Sequence, residues 1–381
     1  MKKYTDEQMK KIYGERRAKL FAFMKENKIT AAVFEDSEEH RDLSVRYFTG
    51  HPSDALWICS SDGKSVLLPW DENLAAERSF DVKIVPYNKY GRKNTDAVRE
   101  VLKSFKKNNP RLKVELSPST PYPQFLKYVD CLQGWDVLCR EKSVHDFVLD
   151  LRSCKDEYEI ECTREAARVG DLIIEKIEGG IADGSIRTES DVALLIEREL
   201  RLNGCERTGF DTLAAGPSRS FAIHAFPGYT GAPWPGKGLS ILDFGVVFEG
   251  YTSDTTLTVV KDATDEQKKL VKLVEKAADA ALPYYKNGEK IKMAGLVADE
   301  VFKKAKREMP HTLGHGIGLE IHEFPRVSAR QTEELVFKPG MIVTLEPGLY
   351  DEKLGGVRLE NDVLITEDGN EVLTHSKILW L

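Results

Sequence analysis

The stretch that decides the fold reads ILDFGVVFEGYTSDTT at residues 241–256. Two apolar runs flank Glu249-Gly250, and this pattern predicts a β-hairpin with its turn at that pair. In this register residue 243 faces residue 256, and residue 245 faces residue 254. Asp243 and Asp254 are then diagonal neighbours on one face, about 7–8 Å apart. Because aspartate is uncommon in strands, the pair indicates either a solvated polar face or two carboxylates that share a positive partner.

A second pair of carboxylates occurs nearer the C-terminus. Glu346 follows the apolar run MIVTL at 341–345, Glu360 follows VRL at 357–359, and a Gly-rich segment lies between them. A hairpin here places both carboxylates on one face, and Arg358 shares that face because it lies two residues before Glu360. A surface ion pair between Arg358 and Glu360, unrelated to Glu346, is the alternative interpretation.

Three of the eight histidines lie in the twelve-residue segment HTLGHGIGLEIH at 311–322. The spacing of His311 and His315 would suit two metal ligands on a helix, but three glycines in the segment argue against a helix. We therefore predict a loop that leads into a strand, with its backbone packed closely against a neighbour. A purely structural role for the histidines is the alternative.

The three groups together have the composition of a metal site. Four carboxylates carry a charge of −4, which two divalent cations would neutralise. Oxygen ligands with one imidazole suit Mn²⁺, Co²⁺, Fe²⁺ or Zn²⁺ better than a thiolate site would. A site with two such ions can activate a bridging water and polarise a carbonyl.

The sequence resembles the pita-bread metallopeptidases, namely aminopeptidase P, prolidase and, more distantly, methionine aminopeptidase. The resemblance rests on five ordered motifs: LDFG at 242–245, YTSD at 251–254, GHGIG at 314–318, EPG at 346–348 and RLE at 358–360. Weaker similarity covers KDE at 155–157 and YFTG at 47–50. The resemblance implies an N-terminal α/β domain of the creatinase/prolidase type, followed by a pita-bread α+β catalytic domain. Two helices and then a Gly-rich strand region occur twice in that second part, which indicates internal pseudo-symmetry.

The resemblance also implies roles for single residues. It implies two divalent metal ions, Mn²⁺ or Co²⁺ before Zn²⁺ or Fe²⁺, with Asp254 and Glu360 as the bridging pair. The full set of implied ligands is Asp243, Asp254, His315, Glu346 and Glu360. Glu346 also matches the residue that handles the proton of the attacking water. The implied catalytic histidines are His224 and His322, and the implied substrate-site residues are His311, Arg326 and Arg358. Arg358 also matches an arginine that supports the metal site from outside the ligands, near the bridging glutamate.

The implied activity is hydrolysis of the peptide bond before proline, in Xaa-Pro dipeptides or at the N-terminus of short peptides. Arg326 is similar in position to an arginine of prolidases and could bind a substrate carboxylate, which favours dipeptides. A solvated loop arginine is the alternative. An apolar proline pocket is expected from aromatic residues near His224, and its candidates are Phe221, Phe226, Tyr229 and Trp234.

One residue departs from the family pattern and keeps other activities open. Leu257 stands where the family commonly has arginine after Ser-Asp-x-Thr, and we interpret this as a lost outer contact. The competing function is a pita-bread metal enzyme that acts on a non-peptide small molecule, as an amide or amidine hydrolase or a lyase. A metal-free hydrolase similar to creatinase and a catalytically silent binding module are further alternatives.

Composition limits the possible partners. The 381 residues carry a formal net charge of −7, which argues against nucleic acid as a partner. No stretch approaches the ~18–20 apolar residues of a membrane helix, so no membrane association is expected. A small peptide substrate is expected, and the resemblance implies a homodimer. The six cysteines contain no C-x-x-C pair, which predicts free, buried thiols in a reducing cytoplasm.

The periodicity of apolar residues predicts the order of elements. The change in character near residues 145–152 predicts domains at 1–148 and 149–381. Strands are predicted at 30–34, 55–59, 65–68 and 82–86, and helices at about 7–27, 94–107, 121–132, 155–177, 187–203, 264–286 and 291–307.

Overall fold

The first part of the chain is built around a six-stranded mixed sheet. The computed structural model describes residues 4–105, 112–332 and 334–381. The chain divides into a unit that ends at Leu151 and a unit that runs from Arg152 to Leu381. The strands of the first unit are β1 (Ala31–Asp36), β2 (Ala55–Ser60), β3 (Ser65–Pro69), β4 (Lys83–Ile84), β5 (Leu112–Leu116) and β6 (Trp135–Leu138). They lie in the order β4-β3-β2-β1-β5-β6.

Both faces of this sheet are covered, which explains why its central strands are apolar throughout. On one face, Val33 and Ile58 pack with Leu102 of the helix Asn94–Phe105. On the other, Phe34 and Trp57 stack together with their ring centroids 5.3 Å apart. The helices of this unit are α1 (Asp6–Glu26), α2 (Ser44–Thr49), α3 (Glu72–Arg78), α4 (Asn94–Phe105), α5 (Tyr122–Cys131) and α6 (Val144–Ser153), with a 3₁₀ turn at Tyr87–Tyr90.

The second unit repeats one order of elements, two helices and then an antiparallel sheet region. Its first half contains α7 (Glu157–Asp183), α8 (Glu189–Leu202), β7 (Arg207–Thr208), β8 (Leu213–Ala215), β9 (Gly238–Phe244), β10 (Val246–Phe248), β11 (Tyr251–Thr252) and β12 (Thr255–Lys261). Its second half contains α9 (Asp265–Ala281), a 3₁₀ turn (Leu282–Tyr284), α10 (Ile291–Lys304), β13 (Gly314–Gly316), β14 (Glu323–Val327), β15 (Ile342–Leu345), β16 (Gly348–Asp351), β17 (Gly355–Arg358), β18 (Asn361–Ile365), β19 (Asn370–Val372) and β20 (Ile378–Trp380). The larger sheets have the orders β20-β12-β9-β8 and β14-β13-β15-β18-β19.

Each half packs its helices against one face of its sheet. In the first half, Ile173 and Ile196 of the helices pack with Leu242 and Leu257 of the sheet. In the second half, an equivalent cluster joins α9 and α10 to β15 and β18. Because side chains alternate along a strand, the residues between these apolar positions point to the opposite face. That face of each hairpin carries the acidic residues singled out in the sequence.

The register of both hairpins agrees with the predictions. Asp243 pairs with Thr256 across β9 and β12, and the turn residues Glu249 and Gly250 have φ values of 47° and 87°, as a two-residue hairpin turn of matching twist requires. In the second hairpin Leu345 pairs with Asn361, which puts residues 346 and 360 just beyond the last pair. The backbone N–H of Glu360 donates to the carbonyl of Thr256 at 3.1 Å, so the two hairpins meet at their carboxylates.

The other sequence predictions mostly fall within a few residues of the observed elements. Helix α7 ends six residues later than predicted, and α9 ends at Ala281 rather than 286 because Pro283 cannot continue the hydrogen-bonded ladder. Residues 106 and 107 of the predicted helix at 94–107 lie outside the described residues. All six cysteines are free, as predicted, but only Cys59, Cys162 and Cys205 are buried; Cys131 and Cys154 are partly buried and Cys139 is exposed. No helix in the described segments is long and apolar enough to cross a membrane.

Candidate active site

The acidic faces of the two hairpins border one cavity of about 980 Å³. Its wall includes all five predicted metal ligands, both predicted catalytic histidines, and the predicted substrate-site residues His311, Arg326 and Arg358. Ligand atoms of Asp254, His315 and Glu360 all lie within 4.8 Å of one another. The Nε2 atom of His315 lies 3.4 Å from Oε1 of Glu346 and 3.7 Å from Oδ2 of Asp254.

The glycines around His315 allow the backbone to pack closely, as predicted. A Cβ atom at Gly318 would lie 2.6 Å from a carboxylate oxygen of Glu323. At Gly314 and Gly316 a Cβ atom would lie even closer to the carbonyl oxygens of Thr344 and Phe324. The Nδ1 atom of His315 lies 3.1 Å from the carbonyl oxygen of Gly316. If Nδ1–H donates there, the lone pair of Nε2 points to the carboxylates, which is the tautomer that a metal ligand needs.

Burial disfavours the ionised form of the clustered carboxylates unless cations are bound beside them. Desolvation, followed by the charges of neighbouring carboxylates, raises the pKa values of Asp254 and Glu360 well above the ordinary range. Burial likewise raises the pKa of Glu346 to about 8, against the opposing effect of Arg358. Burial lowers the pKa of His315 to about 4, so its imidazole is neutral. Carboxylic acids with raised pKa values and a neutral imidazole do not form ion pairs with each other. A bound cation would stabilise the ionised carboxylates and accept the lone pair of the imidazole.

The donor set therefore fits divalent metal ions. Carboxylates from both hairpins and one neutral imidazole nitrogen converge within coordination reach of a common centre. The Oδ1 atom of Asp243 is buried and has no hydrogen-bond partner among the described residues. A buried acceptor without a partner is costly, and a cation at this position would satisfy it.

Hydroxyl groups hold two of the carboxylates in place. Thr256 donates to Oε2 of Glu360 at 2.6 Å, and Thr344 donates to Oε1 of Glu346 at 3.3 Å. In addition, the backbone N–H of Asp254 donates to the fully buried Asp362 at 2.9 Å. Such outer partners fix the orientation of metal-binding side chains.

Arg358 joins this support to the cavity wall. It is 2% exposed, and its guanidinium donates to Oδ2 of Asp243 at 2.5 Å and to the hydroxyls of Thr256 and Tyr350 at 3.0 and 2.7 Å. The Tyr350 hydroxyl lies 3.0 Å from Nε2 of His311. Because most of its donors are directed at protein acceptors, Arg358 orients Asp243 and the Tyr350–His311 pair. Arg358 also lines the cavity, and a direct contact with the substrate stays a prediction.

The loop that carries His224 is fastened by one buried glutamate. Glu189, at the start of α8, accepts from the backbone N–H groups of Gly216 and Thr230, each at 2.8 Å. It also accepts from Nε of Arg219 at 3.2 Å and from the Thr230 hydroxyl at 2.6 Å. Glu189 is 0% exposed, so both ends of the segment 216–230 are fixed in the interior while His224 remains exposed in the cavity.

His322 lies beside a buried ion cluster. Its neighbour Glu323 accepts from Nη2 of Arg152 at 2.5 Å and from Nζ of Lys155 at 3.1 Å. The rings of His315 and His322 are 4.4 Å apart in an edge-on arrangement. Arg326, further along β14, pairs across the strands with His315 and is exposed. The ion cluster therefore anchors the start of β14, which carries Arg326 and directly follows His322.

Several predictions about the pocket need correction. Among the described residues the cavity wall includes Phe226, which is 96% exposed, but not Phe221, Tyr229 or Trp234. Trp234 is wholly buried in the core with Leu257. Leu257 lies on the face of β12 that packs on the helices, so it is remote from the carboxylates. The apolar wall is formed instead by residues that sequence reasoning did not select: Phe210, Leu213, Ile223, Ile321 and Phe324.

The sequence analysis also missed residues that act behind the cavity wall. Tyr350, Asp362, Glu189 and Glu323 were not selected. Each lies on a strand or at a helix start with a polar neighbour beside it in the sequence, so no local signal distinguishes it from a solvated residue. Their partners are 8 to more than 100 residues away in the chain, so no spacing rule connects them.

The chain matches two known protein families, one for each part of its sequence. The family model of metallopeptidase family M24 matches residues 161–367, and that of the creatinase/prolidase N-terminal domain matches residues 16–133. The chain belongs to metallopeptidase family M24, with a prolidase-type N-terminal domain and a pita-bread catalytic domain. It is an enzyme, a peptidase, and its family uses divalent metal ions.

Relatives cover almost the full chain. An Xaa-Pro dipeptidase of Pyrococcus furiosus is 32% identical over 369 residues, which is 95% of this chain and 98% of the relative. The structure of an Xaa-Pro dipeptidase from Bacillus anthracis matches 97% of this chain and 100% of its own, with a TM-score of 0.83 and 26% identity. The structure of an X-Pro aminopeptidase from Thermotoga maritima matches 93% of this chain and 98% of its own, with a TM-score of 0.80 and 26% identity.

Proposed function

We propose that this enzyme is an Xaa-Pro dipeptidase with a dinuclear metal site. The observation that carries the proposal is the convergence of Asp254, His315, Glu346 and Glu360 within one cavity, next to an exposed arginine. The relatives from Pyrococcus furiosus and Bacillus anthracis, both named Xaa-Pro dipeptidase, support the same substrate class. X-Pro aminopeptidase activity on longer peptides is the competing assignment within this family.

We assign the metal ligands as Asp243, Asp254, His315, Glu346 and Glu360. Two divalent ions bound there would activate a water molecule and polarise the scissile carbonyl. We propose Mn²⁺ or Co²⁺ as the ions, with Zn²⁺ or Fe²⁺ as the other candidates for an oxygen-rich set with one imidazole.

The protein groups around the ligands have separate tasks in this proposal. Glu346 accepts a proton from the attacking water at its carboxylate and delivers it to the proline nitrogen as the C–N bond breaks. His322, whose pKa is lowered by partial burial and then by the nearby His224 and Arg326, stays neutral and donates a hydrogen bond to the carbonyl oxygen as negative charge develops. His224 and His311 border the substrate on the other side of the cavity.

Arg326 is the residue that we assign to the carboxylate of a dipeptide. It lies on the strand position opposite His315, close to the proposed ligands, and its side chain lines the cavity. A guanidinium binds a carboxylate with two parallel hydrogen bonds. In a dipeptide that carboxylate lies on the proline itself, one residue from the cleaved bond.

The test is a substrate panel on the full chain loaded with Mn²⁺ or Co²⁺. We expect turnover of Ala-Pro and Met-Pro and little turnover of Ala-Pro-Ala or longer peptides. Arg326→Met should raise KM for Ala-Pro at least 10-fold. Equal turnover of dipeptides and tripeptides would favour the aminopeptidase assignment, and no turnover of any Xaa-Pro peptide would refute the proposal.

Three further properties are proposals of the same kind. We propose a homodimer, in line with the resemblance to prolidases. We propose domain limits at 1–148 and 149–381, supported by the ranges of the two family matches. We propose a cytoplasmic location, supported by six cysteines that form no disulfide.

A further inference from the structure

Two side chains of opposite charge in the cavity wall have no partner among the residues that the structure describes. Besides the proposed ligands, the charged residues of the wall are Asp211, Glu323, Arg326 and Arg358. Glu323 is paired with Arg152 and Lys155, and Arg358 is paired with Asp243. The side chains of Asp211 and Arg326 make no hydrogen bond or ion pair with any residue in the described segments. Charged side chains in a cavity are usually paired or functional. The proposed function gives Arg326 a role, so Asp211 is the charged residue that remains to be explained.

The backbone fixes the position of Asp211 beside the proposed ligands. Two residues before it, the N–H of Gly209 donates to the carbonyl of Gly245 at 3.0 Å. Two residues after it, Leu213 pairs with Asp243 across β8 and β9. Asp211 therefore lies along β9 between residues 243 and 245, at the end of the hairpin where Asp243 approaches Asp254.

The direction of the side chain follows from alternation along the segment. Leu213 and Asp211 both line the cavity, whereas Thr212 between them is 5% exposed and faces away. Residues two apart in an extended segment share a face. The carboxylate of Asp211 is consequently presented to the same space as the carboxylate of Asp243, and it is exposed there.

An Xaa-Pro dipeptide has the complementary charges. At neutral pH it carries an ammonium group on the first residue and a carboxylate on proline, with the cleaved bond between them. If Arg326 binds the carboxylate, the residue before proline extends away from Arg326 past the carboxylate cluster. Asp211 lies in the segment before β8, beside the β9 strand that carries Asp243, whereas Arg326 pairs with His315 on β13 and β14.

We propose that Asp211 binds the N-terminal ammonium of the substrate and restricts the enzyme to peptides with a free amino terminus. This inference rests on the proposed Xaa-Pro dipeptidase function. Asp211 is a specificity residue in this account, because it touches the substrate two bonds from the reacting carbonyl. An anion at this position also disfavours peptides that extend on the amino side, since their neutral amide would leave it unpaired.

The test compares two ligands that differ only in the ammonium group. The first ligand is the substrate Ala-Pro, for which kcat and KM are measured. The second is propionyl-Pro, for which the inhibition constant Ki against Ala-Pro hydrolysis is measured. Both are measured on the Mn²⁺-loaded full chain. For Asp211→Asn we expect a rise of about 10-fold in KM for Ala-Pro, the range of a hydrogen bond between charged groups, with Ki of propionyl-Pro changed less than 2-fold. Asp211→Glu keeps the charge and should recover part of the loss.

Glu352→Gln is the matched control, because it removes one exposed acidic charge outside the cavity and should leave both constants unchanged. An unchanged KM in Asp211→Asn, or equal changes for both ligands, would overturn the assignment of Asp211 while leaving the dipeptidase proposal intact. A wild-type enzyme that hydrolyses no Xaa-Pro dipeptide would instead refute the proposed function, and the assignment of Asp211 with it.

Discussion

Replacing Glu323 by glutamine should destabilise the catalytic unit in a pH-dependent way. Glu323 is buried between Arg152 and Lys155, at 2.5 and 3.1 Å. Burial alone would raise its pKa, but the two cations outweigh this effect and lower the pKa from the ordinary 4.5 to about 2. The ion cluster thus stabilises the charged carboxylate strongly in the folded state.

The size of the stabilisation follows from the difference between the pKa of Glu323 in the folded state and its pKa in the unfolded state. A shift of roughly 2.5 pKa units at about 1.36 kcal/mol per unit corresponds to about 3 kcal/mol. Because the folded pKa is depressed, this stabilisation is present above pH 4.5 and is lost as the pH falls towards 2. Removing one partner of a buried pair costs a similar ~3–5 kcal/mol. The free energy of unfolding of Glu323→Gln should therefore be about 3 kcal/mol lower than that of the wild type at pH 7. This difference should decrease by about 1 kcal/mol when the pH is lowered from 6 to 4.

The assay must follow the catalytic unit by itself, since a chain with two units need not unfold in one step. Denaturant titrations read by hydrogen exchange of peptides from Arg152–Leu381 meet this need. Glu334→Gln is a sharp control: ion pairs with Lys290 and Lys292 also lower the pKa of Glu334 to about 2, but that side chain is 58% exposed. Solvent screens exposed pairs, so this variant should show no measurable change. Equal effects of the two variants would refute the reasoning.

Three other substitutions test the supports of the cavity. Glu189→Gln should increase hydrogen exchange in residues 216–230 and lower kcat at least 5-fold, whereas Glu199→Gln, a buried glutamate on the same helix, should do neither. Arg358→Met should weaken Mn²⁺ binding about 10- to 100-fold, the usual effect of losing an outer partner of a ligand, as measured by calorimetric titration. Tyr350→Phe should lower kcat/KM about 5-fold and the melting temperature by only a few degrees, because the hydrogen bonds to His311 and Arg358 are lost while the ring remains; an unchanged kcat/KM would contradict a functional pair.

The local part of this fold could be predicted from the sequence. The register of the first hairpin follows from Glu249-Gly250, since two residues with positive φ fix both strands at once. Alternation then assigns Asp243 and Leu242 to opposite faces, and the structure places them so. The short contacts of Gly314 and Gly318 were likewise expected from glycine density.

The parts that could not be predicted depend on contacts between distant segments. Trp234 looked like a pocket residue because it is close to His224 in sequence, but it lies in the core, where its indole N–H donates to the carbonyl of Ile241. The pairing of Glu189 with Thr230 joins residues 41 apart. A single sequence gives the chemistry of such residues but not their partners, so the supporting network emerges only in the folded chain.

The number of metal ions bound per chain tests the central claim most directly. We propose equilibrium dialysis of metal-free full-length protein against saturating Mn²⁺, with Glu360→Ala, which removes a proposed bridging carboxylate, as the comparison. The account predicts two ions per wild-type chain and fewer than two in the variant. One or no ion in the wild type, or two ions in both proteins, would contradict it.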